Sequence, residues 1–132
     1  MRTNTAIAAR APKNLSGPGL RTFFGIMEAW GIDEPLRLRL LGVPRATYYR
    51  WKRAPEQARL SHDTMERLSY LFGIYKALQI LLPDPKAADG WVKRPNRNPV
   101  FGGRAPIERM GAGQVADLYV VRQHLDAERG WS

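Results

Sequence analysis

The stretch GVPRATYYRWKR, residues 42–53, sets two tyrosines and a tryptophan among four basic side chains and contains no acid. Such a run suits polyanion recognition, because guanidinium groups bind phosphate oxygens and guanine edges while aromatic rings supply core or flat contact surface. Pro44 fits the first turn of a helix, so the stretch reads as helical from there. Tyr48 and Trp51 lie three apart and can face a core together, whereas Arg45, Tyr49 and Arg50 fall on other faces. Arg45 and Thr47, in the first turn, are placed to approach base edges. Lys52 and Arg53, further along, are placed to hold phosphates, and Tyr49 is the outward aromatic. Arg37 and Arg39 extend the run to six basic residues between positions 37 and 53, again without an acid.

Catalytic chemistry has little to draw on. The chain has no cysteine, which excludes disulfides, thiolate metal sites and thiol nucleophiles. His62 and His124 have no second ligand at an i,i+4 spacing, so neither suggests a metal site. Gly102–Gly103 lacks the lysine and hydroxyl residue of a phosphate loop, and none of the serines lies in a nucleophile elbow. A protein without enzymatic activity, metal or cofactor is expected.

The 132 residues suit one domain or two small helical ones, and a 44% hydrophobic content is enough for a core. A formal charge of +9 favours a polyanionic partner, with nucleic acid the leading candidate. No apolar run approaches the roughly 18 to 20 residues that span a bilayer, and the first residues lack the apolar core of a signal peptide. A cytoplasmic protein that does not engage membranes follows as the expectation.

The elements that must position the basic stretch are helical. Residues 1–18 combine Gly, Pro, Asn and Ser with basic residues and read as a disordered basic arm. From Leu20, Phe23, Phe24, Met27 and Trp30 recur at helical steps until Gly31. Asp33 can cap a short second helix carrying Leu36, Leu38, Leu40 and Leu41, which Gly42 can end. A short helix, a turn at Gly42 and a basic third helix form a helix-turn-helix pattern, in which the second helix of the pair enters the major groove. Ser61 and the Asp63–Glu66 pair are alternative caps for a long fourth helix. Its Met65, Leu68, Leu71, Phe72, Tyr75, Leu78 and Leu82 lie on one side until Pro83. The following segment to Pro106 is rich in proline and glycine and reads mostly as loop, pinned to a core by Trp91 and Phe101. Val115, Leu118, Tyr119 and Leu125 describe a last helix ending near Gly130. The predicted fold is all-α, divided into the arm, a helix-turn-helix DNA-binding domain over 19–60 and a second helical domain over 61–132.

The second half resembles the MbcA/ParS/Xre antitoxin family. The resemblance rests on LSHDTMERL at 60–68, the long helix after it, Trp91, RPN at 94–96, FGG at 101–103, PIERM at 106–110, Gly113 and VRQHLDAERG at 121–130. It implies the antitoxin of a toxin–antitoxin pair whose partner is a RES-domain toxin that consumes NAD. The antitoxin covers the toxin's active site, and the complex commonly binds operator DNA and represses its own operon. A homodimer within a larger toxin–antitoxin complex would match two DNA half-sites. Residue by residue, Arg94, Arg104 and Arg109 are candidate toxin contacts because arginine is enriched at interfaces. Asn96 can satisfy loop backbone or a partner, and Arg129 and Trp131 form a C-terminal charge and aromatic anchor. Trp91, Phe101 and Met110 read as core. A stand-alone transcription regulator whose second half only dimerises is the alternative.

Overall fold

Asp33 accepts from the Leu36 backbone N–H at 3.3 Å, and this cap starts the second helix of an all-helical chain. The computed structural model describes the backbone of residues 2–130 and the side chains of residues 16–130. Among the described residues there are seven α-helices and no strand, as the sequence predicts. None of the helices is long and apolar enough to cross a membrane.

Helix α1, Arg2–Trp30, buries Leu20, Phe23, Ile26, Met27 and Trp30 along one face. It ends where Gly31 takes a φ of +66°, with Ile32 N–H donating to Met27 O at 2.9 Å and Gly31 N–H to Glu28 O at 3.1 Å. This double closure satisfies two carbonyls at the helix end and buries Ile32 beside them. The disordered arm expected over 1–18 is corrected at its end. Ser16 and Gly17 are buried in α1, and the Ser16 hydroxyl donates to Pro55 O at 3.4 Å. Packing against a short 3-10 turn, Pro55–Gln57, supplies the burial that local composition does not advertise. The side chains of residues 1–15 lie outside the described residues.

Helix α2, Glu34–Leu41, and helix α3, Arg45–Arg53, are joined by a tight turn. Gly42 occupies the left-handed region at φ +71° and donates to Leu38 O at 2.8 Å, which a side chain at that position would strain. Pro44 stands just before the first turn of α3 rather than in it, with extended backbone. Leu40 and Leu41 of α2 and Tyr48 and Trp51 of α3 are buried, so the inward face of the pair is the predicted one.

Helix α4, His62–Leu81, is the spine of the molecule. Of its two expected caps, Ser61 is used: its Oγ accepts from Thr64 N–H at 3.1 Å, while Asp63 turns to Arg67. The buried face is also rotated from the expected one. Thr64, Arg67, Leu68, Leu71, Ile74, Ala77 and Leu78 are buried, while Met65, Phe72 and Tyr75 are only half-buried. Apolarity alone assigns Met65 to the core and Thr64 to solvent. Here Thr64 is brought in because its hydroxyl donates to Leu41 O at 3.4 Å.

The segment read as loop contains two short helical pieces, α5, Pro85–Gly90, and a 3-10 turn, Trp91–Lys93. Asp84 caps α5, accepting from Lys86 N–H at 3.2 Å, and Pro85 opens it, but six residues are too few for periodicity to register. Helix α6, Pro106–Met110, buries Pro106, Ile107 and Met110. Helix α7, Val115–Glu128, starts at a capping box in which Gln114 N–H donates to Asp117 at 3.1 Å. It packs along α4, where Gly73 makes room: a Cβ there would overlap the Arg122 guanidinium, which donates to Ser69 O at 3.3 Å. A Cβ at Gly111 would likewise overlap Leu36, so α2 sits against the end of α6. One continuous apolar core includes residues of both halves, from Leu20 through Tyr48 and Leu71 to Leu125.

Candidate functional site

The α2–α3 pair presents its basic residues unequally. Arg37 is not a surface cation available to a partner. It donates to Ile32 O at 2.7 Å, to Glu28 at 2.8 Å and to the Tyr48 hydroxyl at 3.3 Å, tying α1, α2 and α3 together with an 11% exposed side chain. The hydrogen bond and charge of Arg37 hold the Glu28 carboxyl below its ordinary range. Arg39, Arg50, Lys52 and Arg53 are exposed and carry no ion pair with an acid among the described residues. They remain free to meet phosphate. Thr47 is half-buried in the first turn of α3.

Arg45 and Tyr49 converge on an acid that the local window does not contain. Glu34, in the first turn of α2, lies 3.0 Å from Arg45 Nε and accepts a short hydrogen bond from the Tyr49 hydroxyl. The hydrogen bond to Glu34 raises the pKa of the Tyr49 phenol above its ordinary value. Tyr48 meets the Tyr49 ring edge-on at 5.4 Å, fixing it from the other side. Nothing near Glu34 in the sequence signals the contact, since its partners are 11 and 15 positions away.

In the second half, three rings pin the loop to α7. Trp91 stacks on His124 at 6.3 Å and 18°, and Phe101 meets both edge-on, at 5.7 Å and 5.3 Å respectively. His124, which offers no metal-ligand spacing in the sequence, is a structural ring here. Phe101 and Met110 are buried as expected, and Trp91 is half-buried. A shallow groove of about 320 Å³ runs beside them, lined by Leu81, Leu82, Trp91, Asn96, His124 and Glu128 among others.

The candidate contact residues of this half divide in the same way. Asn96 organises the loop: its backbone N–H donates to Arg104 O at 3.0 Å and its side chain accepts from Asn98 N–H at 2.9 Å. Arg109 donates to Asp117 at 2.8 Å, fastening α6 to the first turn of α7. Arg94 donates to Ala87 O at 2.7 Å yet is exposed, and Arg104 is 77% exposed with only a 3.8 Å ion pair to Glu108. Arg129 is half-buried just after α7, and Trp131 lies outside the described residues. The structure therefore leaves Arg94 and Arg104 as the accessible cations of the set and gives Asn96 and Arg109 internal work.

A further residue, to which local sequence assigns no role, joins the two halves. Arg67, 9% exposed at its side chain, donates to Asp63 at 2.8 Å, to Arg39 O at 3.0 Å and to Gly113 O at 2.8 Å. Its cation serves the carbonyl end of α2 and the turn before α7 at once. The only local signal is an Asp–Arg pair at i,i+4, which ordinarily marks a solvated helix face.

Two family models match the chain. Residues 7–73 match the family described as antitoxin Xre-like helix-turn-helix domain. Residues 77–130 match the antitoxin Xre/MbcA/ParS C-terminal toxin-binding domain. A protein of Sinorhizobium fredii (strain NBRC 101917 / NGR234), named "Uncharacterized protein y4oB", is 41% identical over 124 residues, which cover 93% of this chain and 89% of that one. No solved structure matches the chain.

Proposed function

Because the chain belongs to the antitoxin family that joins an Xre-like helix-turn-helix to an Xre/MbcA/ParS toxin-binding domain, we propose that it neutralises a RES-domain toxin and represses its own operon. It would do so in the cytoplasm as a homodimer within the toxin complex. Inhibition is steric and needs no cofactor: the C-terminal half, including Arg94, Arg104 and the segment with Arg129 and Trp131, covers the toxin's NAD pocket. The observation that carries the reading is the pairing, in one chain, of a toxin-binding match with an α3 whose Arg50, Lys52 and Arg53 are exposed and unpaired with acid among the described residues.

The test is NAD consumption by a purified RES-domain toxin from the same organism, titrated with the full chain. Stoichiometric protection is expected; undiminished NAD loss at excess protein refutes the RES-toxin target and favours the stand-alone regulator. A chain ending at Ala127 removes an aromatic anchor and a cation and should need about tenfold more protein for equal protection, since anchors of this kind dominate interfaces. It should bind DNA unchanged, because α2 and α3 are untouched.

The DNA-reading face makes its own prediction. Replacing Arg50 with alanine is expected to cost about 1–3 kcal/mol on the preferred duplex and to relax base preference. Replacing Lys52 should weaken all duplexes alike and reduce the dependence of log affinity on log salt by about one unit. Fluorescence anisotropy across a salt series measures both, and equal binding of the unaltered protein to every duplex would rule out base readout.

A further inference from the structure

A carboxylate in the middle of a cationic DNA-facing surface needs a physical reason. Glu34 repels phosphate, and its side chain is 29% exposed, so it is not hidden from a bound duplex. Both of its oxygens nevertheless have a neighbour: Oε2 forms an ion pair with Arg45, 3.0 Å from its Nε, and Oε1 accepts from the Tyr49 hydroxyl. Arg45 opens α3 and is 70% exposed, while Tyr49 stands one turn further along the same helix. The Tyr49 ring is held between Glu34 and the buried Tyr48. The result is a small constellation at the N-terminal end of α3, where a recognition helix meets base edges.

We propose that Glu34 is a positioning residue for base discrimination: its carboxylate keeps Arg45 directed at a base edge and away from the phosphates. A lone arginine at this position is long, flexible and surrounded by phosphate oxygens, contacts that add affinity without sequence information. Contact through Nε, on the inner side of the guanidinium, is compatible with the two outer nitrogens forking onto a guanine edge. The acid therefore lowers affinity for any duplex while raising the difference between duplexes. This role rests on the DNA-binding reading above.

The experiment uses the full chain and a random duplex pool. The unaltered protein enriches its preferred sequence, and anisotropy at fixed salt then compares that duplex with a scrambled one. For Glu34→Ala, scrambled-duplex binding is expected to stay equal or become about threefold tighter, because a repelling charge is gone. The preferred-to-scrambled ratio is expected to fall about tenfold, the scale of one oriented arginine–guanine contact. In an Arg45→Ala background, Glu34→Ala should produce little further fall, since the two residues act as one unit. Glu34→Gln, which keeps the shape without the charge, should fall less than the alanine variant, and it serves as the probe if Glu34→Ala does not fold by circular dichroism. An unchanged ratio in both variants overturns the role of Glu34, as does a full further fall in the Arg45→Ala background. If the unaltered protein enriches no sequence at all, the DNA-reading assignment itself fails and this role falls with it.

Discussion

Replacing Arg67 with methionine is expected to lower the stability of the protein by about 3–5 kcal/mol, the largest loss from any single polar side chain described above. The guanidinium is nearly enclosed and makes three hydrogen bonds, to Asp63, Arg39 O and Gly113 O. Asp63 is 51% exposed, so losing that ion pair contributes little. The two carbonyls matter more. Arg39 O belongs to the last turn of α2, whose carbonyls have no further helical N–H, and Gly113 O lies in the turn that leads into α7. Charge-assisted bonds to such groups are worth about 1.5–3 kcal/mol each, and methionine supplies volume but no donor. Urea unfolding should show a lower midpoint at an unchanged slope, and the thermal midpoint should fall by on the order of 15 °C. Arg67→Lys keeps the charge but cannot fork across three acceptors, so it should recover only a minor part. A loss below about 1 kcal/mol would mean that water replaces the guanidinium at both carbonyls.

A fragment comprising residues 61–132 is expected not to fold, although it carries the whole toxin-binding match. It would lose Leu20, Phe23, Met27, Trp30, Leu40, Leu41 and Tyr48 from the shared core, and leave the α1-facing and α2-facing parts of α4 in water. Burying each such side chain is worth about 1.5–3 kcal/mol, so the seven together represent on the order of 10–20 kcal/mol of apolar burial, comparable with the roughly 5–15 kcal/mol net stability of whole domains. The fragment would also deprive Arg67 of its Arg39 O partner and expose Gly111 where Leu36 now covers it. Circular dichroism and urea titration decide the matter: weak helicity without a cooperative transition is expected, and a sharp transition would show that α4 and α7 form an independent core. Loss of DNA binding with inhibition kept is therefore better sought with point substitutions such as Lys52→Ala than by removing the N-terminal half.

Much of the architecture was legible from local signals. Asp33 and Gly42 bracket α2 because capping and left-handed turns depend on residues within a few positions. Tyr48 and Trp51 were recognisable as core because a three-residue step keeps both on one face of α3. The antitoxin resemblance was carried by spaced residues such as Trp91, the FGG turn and PIERM, each of which holds a loop or a helix start in a fixed place. Short elements escaped: α5 has only six residues, too few for a period to show.

What the sequence determined by itself is the all-α fold, the helix-turn-helix, the basic excess and the family. What only the tertiary structure decided is which charges are spent internally. Arg37 and Arg109 looked like surface cations and are structural ties; Glu34 and Glu28, outside the acid-free window, fold back onto Arg45 and Arg37. Arg67, which local sequence gives no role, bridges carbonyls 28 and 46 residues away. The reason is one of range. Helix propensity, caps and periodicity act over about four residues, whereas the cost of a buried charge and the value of an ion pair depend on whatever packs over it, and that is fixed only when distant helices meet.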